Sequence, residues 1–287
     1  MLKSRKEDAD ASSPFSRLPD EIVREIINKI IDLKSLCFCY LVSRRFSSIV
    51  LQVDAIAFTG ESFASAISFF IMFRGLKYVC IELPSIDNGF LFKWKVKFGS
   101  SIESLICLLP DSVCDKDGVY LYGNGDEEED DIGLIHEFFG LKHQISSMCL
   151  EEAILWHMML LYLVKYLPML EEVSITDSGR RGRLSLSGKK LIEVKEWVHS
   201  TSASEIERNR IEDPDIVRYC YIPVLKLPVS GYVMKGVTFF VMEMKDHQGE
   251  YDSFMNSEDG GFEDKDEAAL YTEAVKEIFE KIRRLHT

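Results

Sequence analysis

Residues 16–53 read SRLPDEIVREIINKIIDLKSLCFCYLVSRRFSSIVLQV, and their apolar side chains recur at helical intervals. Between Pro19 and Ile31, the residues Ile22, Val23, Ile26, Ile27, Ile30 and Ile31 make a stripe wide enough to meet two neighbours. Proline is tolerated where a helix begins, and Asp20 and Glu21 stand where the helix dipole favours anions. Repeated isoleucines lower helix propensity, so packing must hold this helix. Asp32 reads as the N-cap of a second helix starting near Leu33, whose middle, Leu36 to Val42, is apolar all round. Phe46, Ile49, Val50 and Val53 give a third helix a single stripe.

A unit of fewer than about 40 residues rarely builds a sufficient core. The surplus apolar surface of this trio therefore predicts docking, either on the rest of the chain or on a dedicated partner.

Leu18-Pro19-Asp20-Glu21, the isoleucine ladder, Lys34-Ser35-Leu36 and Val42-Ser43-Arg44-Arg45-Phe46 resemble the F-box, the helical motif by which substrate receptors grip the Skp-type adaptor of cullin–RING ubiquitin ligases. Two positions depart from the usual pattern. Ile31-Asp32 stands where many F-boxes have Leu-Pro, and Phe46 where tryptophan is usual. Aspartate caps a helix as well as proline opens one, and phenylalanine keeps a large aromatic anchor. The resemblance implies an SCF-type substrate receptor that docks on the adaptor and, through it, on a cullin and a RING protein. Its docking face would comprise Leu18, Pro19, Ile22, Ile26, Leu36, Cys39 and Val42. The remainder of the chain would hold an unknown protein substrate near the loaded ubiquitin-conjugating enzyme, without catalytic residues of its own.

The 287 residues, 46% hydrophobic and 28% charged, suit one small module plus a larger globular domain. We divide them into a polar tail at 1–14, expected to be disordered, an F-box at 15–53 and an irregular leucine-rich-repeat-like recognition domain at 54–287. A net charge of −13 argues against nonspecific nucleic-acid binding. Seven scattered cysteines, several in apolar runs (Cys37, Cys39, Cys80, Cys107, Cys149), read as small buried hydrophobes in a reducing compartment. The tail has no apolar signal-peptide segment, and the apolar run Ala153–Val164 is too short for a bilayer of about 30 Å. The expectation is an intracellular protein, in cytoplasm, nucleus or both, with no membrane partner.

Beyond Val53, Glu61–Phe73 reads as a buried helix closed by Gly75. A phrase of the form L-x-x-L-x-L-x-L then recurs: Leu76, Val79, Ile81 and Leu83; Ile102, Leu105, Cys107 and Leu109; Ile145, Met148 and Leu150; Leu170, Val173 and Ile175. Most of the spacing suits leucine-rich repeats, with the acidic stretch Gly123–Asp131 as an insertion; an ordinary α/β layer is the alternative. Helices are expected over Glu151–Tyr166 and Lys189–His199. Thr201–Asp215 and the acidic Asp246–Asp264 read as loops, Tyr219–Val229 and Tyr232–Met244 as an antiparallel pair turning at Val229-Ser230-Gly231, and Ala268–Arg284 as an amphipathic helix. The fold class is thus α/β: a three-helix F-box, a short irregular leucine-rich-repeat-like domain, and a C-terminal β pair and helix. Two further phrases, Ser178–Gly188 and Tyr221–Val237, resemble a plant F-box subgroup that includes the auxin-up-regulated F-box proteins.

Catalytic readings fare poorly. Gly182 to Gly188 with Lys189-Lys190 has the wrong glycine spacing for a phosphate loop and lacks its Ser or Thr. Asp115-Lys116-Asp117-Gly118 carries only part of a calcium loop. Cys37 and Cys39, two apart on a helix, diverge and make no metal pair. The six histidines show no ligand spacing, and His157 on an apolar helix reads as a satisfied core residue. No cofactor or metal is expected. One charge anomaly stands out: Arg180, Arg181, Arg183, Lys189 and Lys190 form either a solvated loop or a surface that reads anionic groups on a partner. The competing class is a non-ligase α/β scaffold or interaction protein whose helical trio packs on its own domain.

Overall fold

Pro19 and the two carboxylates behind it start the first helix where the sequence places it, and the chain's own sheet stops it early. The computed structural model describes residues 14–60, 69–85, 91–115, 118–122, 132–202, 204, 206, 214–244 and 265–285. α1 spans Asp20–Ile27, α2 Leu33–Val42 and α3 Arg44–Val50. α1 is shorter than its isoleucine stripe predicts. Lys29 and Ile30 close tight turns onto Ile26 and Ile27, and the Ile31 carbonyl accepts the Ala57 N–H at 2.7 Å. Asp32 accepts the Ser35 N–H at 2.8 Å, capping α2, and Ser43 accepts the Phe46 N–H at 3.2 Å, capping α3.

The following elements are β1 (Ala55–Thr59), β2 (Tyr78–Leu83), β3 (Lys93–Phe98), β4 (Ile102–Leu109), β5 (Ser112–Cys114), β6 (Tyr120–Tyr122), α4 (Ile132–Tyr166), β7 (Glu172–Asp177), β8 (Arg183–Ser187), α5 (Gly188–Ser200), β9 (Ile216–Lys226), β10 (Val233–Glu243) and α6 (Lys265–Leu285). Of the helix expected over Glu61–Phe73, residues 61–68 lie outside the described ones, and Phe69 and Phe70 are helical. The acidic stretches 123–131 and 246–264 also lie outside, as does most of 201–215.

The strands form two sheets. The first runs β1-β2-β7-β8, with β1, β2 and β7 parallel and β8 antiparallel. The second is antiparallel, β3-β4-β10-β5-β6, and β9 lies along the other side of β10. Mixed α/β architecture, the N-terminal helices and the C-terminal β pair with its helix all agree with the sequence reading. The recurring phrases divide. The Leu76 and Leu170 phrases become β2 and β7, side by side in parallel register with Val79 opposite Val173 and Ile81 opposite Ile175. The Ile102 phrase becomes β4 in the other sheet, antiparallel to β10. Ile145, Met148 and Leu150 are not a strand but part of α4, which begins well before Glu151. Buried Ile145, Cys149, Ala153, Trp156, Leu160 and Leu163 follow one another there at helical intervals. What survives of a repeat stack is the parallel part of the first sheet.

By length and composition, Gly140–Tyr166 of α4 is long and apolar enough to cross a membrane, unlike the shorter run read from the sequence, and 56% of its apolar window is buried inside the protein. α4 packs against β4 on one side and β7, β8 and α5 on another. One continuous apolar core joins the helical trio, the first sheet, α4 and the inner face of the second sheet. A second core lies between the outer face of that sheet and α6.

An interruption without change of register marks the second sheet. Pro110 and Asp111 separate β4 from β5 opposite Gly236, whose φ of 57° is glycine's territory and whose missing Cβ leaves room for the Asp111 carboxylate. The buried Lys142 ammonium, from α4, donates to Asp111 Oδ1 at 2.6 Å and to the Gly236 carbonyl at 2.9 Å. Burial depresses the Lys142 pKa and raises that of Asp111, while their contact opposes both shifts.

Candidate functional site: the apolar face of the N-terminal helices

The helical trio is held by polar bonds at its entrance. Arg45 donates Nε to Asp20 at 2.7 Å and Nη1 to the Phe15 carbonyl at 2.9 Å, and its Nη2 donates to the Leu18 carbonyl. Phe15 meets Phe46 edge to face at 5.8 Å. These bonds fix the chain entering α1 against α3, so the outer side of α1 has a defined direction.

On α1, Val23 and Ile27 are sealed, whereas Ile22 and Ile26, one turn apart, face solvent. On α2, Leu33 and Leu36 are sealed, while Phe38, Leu41 and Val42 are 63%, 76% and 64% exposed. Ile31, between the two helices, is half exposed. The docking residues read from the sequence therefore separate. Pro19, Ile22, Ile26 and Val42 are exposed. Leu18 and Cys39 are partly buried against the chain's own core. Leu36, at 0% exposure, is a correction: its side chain supports the face from beneath and offers nothing to a partner. Phe38 and Leu41 are exposed on the same helix and were not picked out from the sequence, because a helix that is apolar on every side gives no periodicity from which to choose its outer face.

The basic stretch is largely absorbed by the fold. Arg181 is buried; its backbone N–H donates to Asp177 Oδ1 at 2.7 Å, its Nε to Oδ2 at 2.8 Å, and its guanidinium lies 4.5 Å from the Phe92 ring. Arg181 therefore leaves the anion-reading surface: its charge is committed to Asp177 in the interior. Arg183 donates to Ser174 Oγ at 3.1 Å. Lys189 is exposed, 3.5 Å from Glu193, and Lys190 lies over the Phe98 ring at 4.5 Å. Arg180 is exposed at the turn, with a φ of 51°. Of the five basic residues, Arg180 and Lys189 are exposed and Lys190 is partly so.

Other groups weighed for chemistry have structural partners. His157 is buried, its Nε2 is 3.0 Å from the Gly99 carbonyl, and burial lowers its pKa to about 4. Asp115 spends its carboxylate on the Val119 N–H at 2.9 Å; Lys116 and Asp117 lie outside the described residues. Burial raises the pKa of the Cys37 thiol, and the Asp32 charge adds to the shift. Among the described residues, no three His, Cys, Asp or Glu side chains are grouped so as to hold a metal ion.

A helical trio with uncovered apolar residues, set on an α/β domain, has similar proteins among plants: over most of its length the chain resembles several that are named F-box proteins. F-box protein At5g46170 of Arabidopsis thaliana is 26% identical over an alignment of 342 residues, covering 82% of this chain and 85% of that protein. F-box protein At4g18380, from the same plant, is 30% identical over 199 residues, covering 62% of this chain and 50% of its own. F-box protein AUF2 of Arabidopsis is 23% identical over 273 residues, covering 79% of this chain and 84% of its own, in keeping with the subgroup read from the sequence. No family model and no solved structure matches the chain.

Proposed function

We propose that this chain is the substrate-recognition subunit of an SCF-type ubiquitin ligase. Its helical trio binds the Skp-type adaptor, which leads to a cullin and a RING protein, and the α/β domain holds a protein target. Catalysis belongs to the partner enzymes, and the chain acts inside the cell by raising the effective concentration of target lysines around the loaded ubiquitin-conjugating enzyme. The observation that carries this reading is the outer side of α2, where Phe38, Leu41 and Val42 are exposed on a helix whose other side is sealed. Large apolar groups left in water mark a surface meant for a partner. Within the site, Ile22 and Ile26 join them in contact with the adaptor, and Leu36 holds the helix in place.

The test is coexpression with a Skp-type adaptor followed by pull-down. Wild-type chain should be poorly soluble alone, rescued by the adaptor, and retained with it through high-salt washing. Adaptor-independent solubility together with failed retention contradicts the proposal. A second reading, an interaction scaffold that meets no ligase, draws on a different observation: the trio shares one continuous core with the first sheet, and the Ile31 carbonyl bonds to β1. It predicts no adaptor binding at all.

A further inference from the structure

The second sheet extends beyond its cover at β9. Among the described residues β9 pairs with β10 alone, from Ile216 opposite Glu243 to Lys226 opposite Val233. Directly opposed residues share a face of the sheet, so Val217, Tyr219 and Tyr221 lie on the face of Met242, Phe240 and Thr238. The β10 residues are buried; the β9 residues are not, and Tyr219 is 67% exposed. The Tyr219 ring lies 6.1 Å from Phe240, and Phe240 lies 5.9 Å from His143 on α4. A row of rings thus leads from the rim of the sheet to the long helix.

Charge on the strand itself runs against the rest of the chain, with Asp215 just before it and Glu243 opposite its first residue. β9 carries Arg218 and Lys226 and no carboxylate, in a protein of net charge −13. Lys235, opposite Val224, is exposed as well. Arg218 reaches Glu243 at 3.5 Å with about half of its side chain exposed. Proteins usually blunt an edge strand with a proline, a bulge or a charge. Here Pro223 falls opposite Gly236, toward the far end of the strand, and leaves Ile216–Ile222 as regular, aromatic-bearing strand.

We infer that Ile216–Ile222 receives an extended segment of the target protein by strand addition, and that this segment is acidic with aromatic or branched apolar side chains at alternate positions. The inference rests on the receptor reading proposed above. Main-chain hydrogen bonds supply affinity, the Val217, Tyr219 and Tyr221 face receives alternate side chains, and Arg218 and Lys226 select carboxylates.

The probe is a fluorescent peptide of roughly ten residues alternating glutamate with phenylalanine, set against a peptide alternating lysine with phenylalanine, each titrated onto the full chain copurified with its adaptor. The glutamate peptide should bind more tightly, lose affinity with added salt and slow amide exchange along β9. Tyr219→Ser with Tyr221→Ser should weaken it at least about tenfold, as expected for aromatic anchors, and Arg218→Glu with Lys226→Glu should reverse the peptide preference. All four side chains are exposed, and an unchanged thermal midpoint and retained adaptor pull-down verify that each variant is folded. Equal binding of the two peptides, tyrosine variants that bind as wild type, or unaltered β9 exchange on binding would overturn the inference. Peptide binding by a chain that does not retain the adaptor overturns the receptor reading alone.

Discussion

Two helices of this chain carry long apolar runs, Leu36–Val42 on α2 and Ala153–Val164 on α4, and they finish in opposite surroundings. α4 lies among β4, β7, β8 and α5, with 56% of the apolar window in Gly140–Tyr166 buried inside the protein. α2 meets α3 and the edge strand β1, and leaves Phe38, Leu41 and Val42 in water. Composition states that such a helix needs cover. How many elements the chain brings to it decides whether that cover is its own.

The largest effects should come from breaking the covered sides. Trp156, sealed on α4, packs against Trp94 with ring centroids 5.0 Å apart. Trp156→Ala should cost about 3–5 kcal/mol of unfolding free energy, read by denaturant titration. Leu36→Ala, on the sealed side of α2, should cost about 2–5 kcal/mol by the same measurement. A loss below about 1 kcal/mol at Leu36 would show that α2 is loosely seated and that the contrast between its two sides is overstated.

His157 sharpens the account of α4. Burial, set against its bond to Gly99, holds its folded pKa at about 4 while the unfolded value is the ordinary 6.5. The native state keeps the ring neutral, and the unfolded chain protonates it first as pH falls. The stability it contributes is therefore complete above pH 6.5 and drains away as pH drops toward 4, by roughly 3 kcal/mol in total. Denaturation at pH 7 and pH 4.5 should show a smaller acid loss in His157→Gln than in wild type. Equal losses would assign the acid sensitivity to other groups.

The exposed side of α2 should behave in the opposite way. Leu41→Ser with Val42→Ser should change stability by no more than about 0.5 kcal/mol, since both side chains are already in water. The same pair should weaken adaptor binding by about 2 kcal/mol, close to 30-fold, measured by calorimetry on adaptor and chain. Loss of stability without loss of binding would invert the assignment of the two sides.

Local signals were legible in the sequence and distant pairings were not. Asp32 and Ser43 cap the helices they precede, Gly231 turns the β9–β10 hairpin with a φ of 79°, and α6 covers the expected residues, because each depends on neighbours a few positions away. The Ile102 phrase has the same apolar alternation as the Leu76 phrase, yet β4 pairs with β10, far along the chain, and periodicity carries no information about which strand comes alongside. On α2, Leu36 and Leu41 are both leucines in the same helix, and only the position of the first sheet makes one core and the other surface. Arg181 could have been set apart from Arg180: Asp177 stands four residues before it across a glycine-containing turn, a spacing that brings carboxylate and guanidinium together.

Asp32 joins the two halves of the comparison, because it starts the exposed helix at the point where the chain leaves the sheet. Its carboxylate accepts the Ser35 N–H, and its backbone bridges to Ala57 on β1. Bonds from Ser35, side chain first and backbone next, hold its pKa below the ordinary carboxylate value, so its stabilising effect is present above about pH 4 and fades as pH falls through the lowered folded value. Asp32→Ala should cost about 1 kcal/mol, the usual worth of an N-cap, and Asp32→Asn less, since the amide oxygen still accepts the N–H. The backbone bridge survives both changes. α2 should therefore fray at its first turn while Phe38, Leu41 and Val42, on later turns, keep their adaptor affinity. An affinity loss as large as that of Leu41→Ser with Val42→Ser would mean that the first turn of α2 itself positions the docking face.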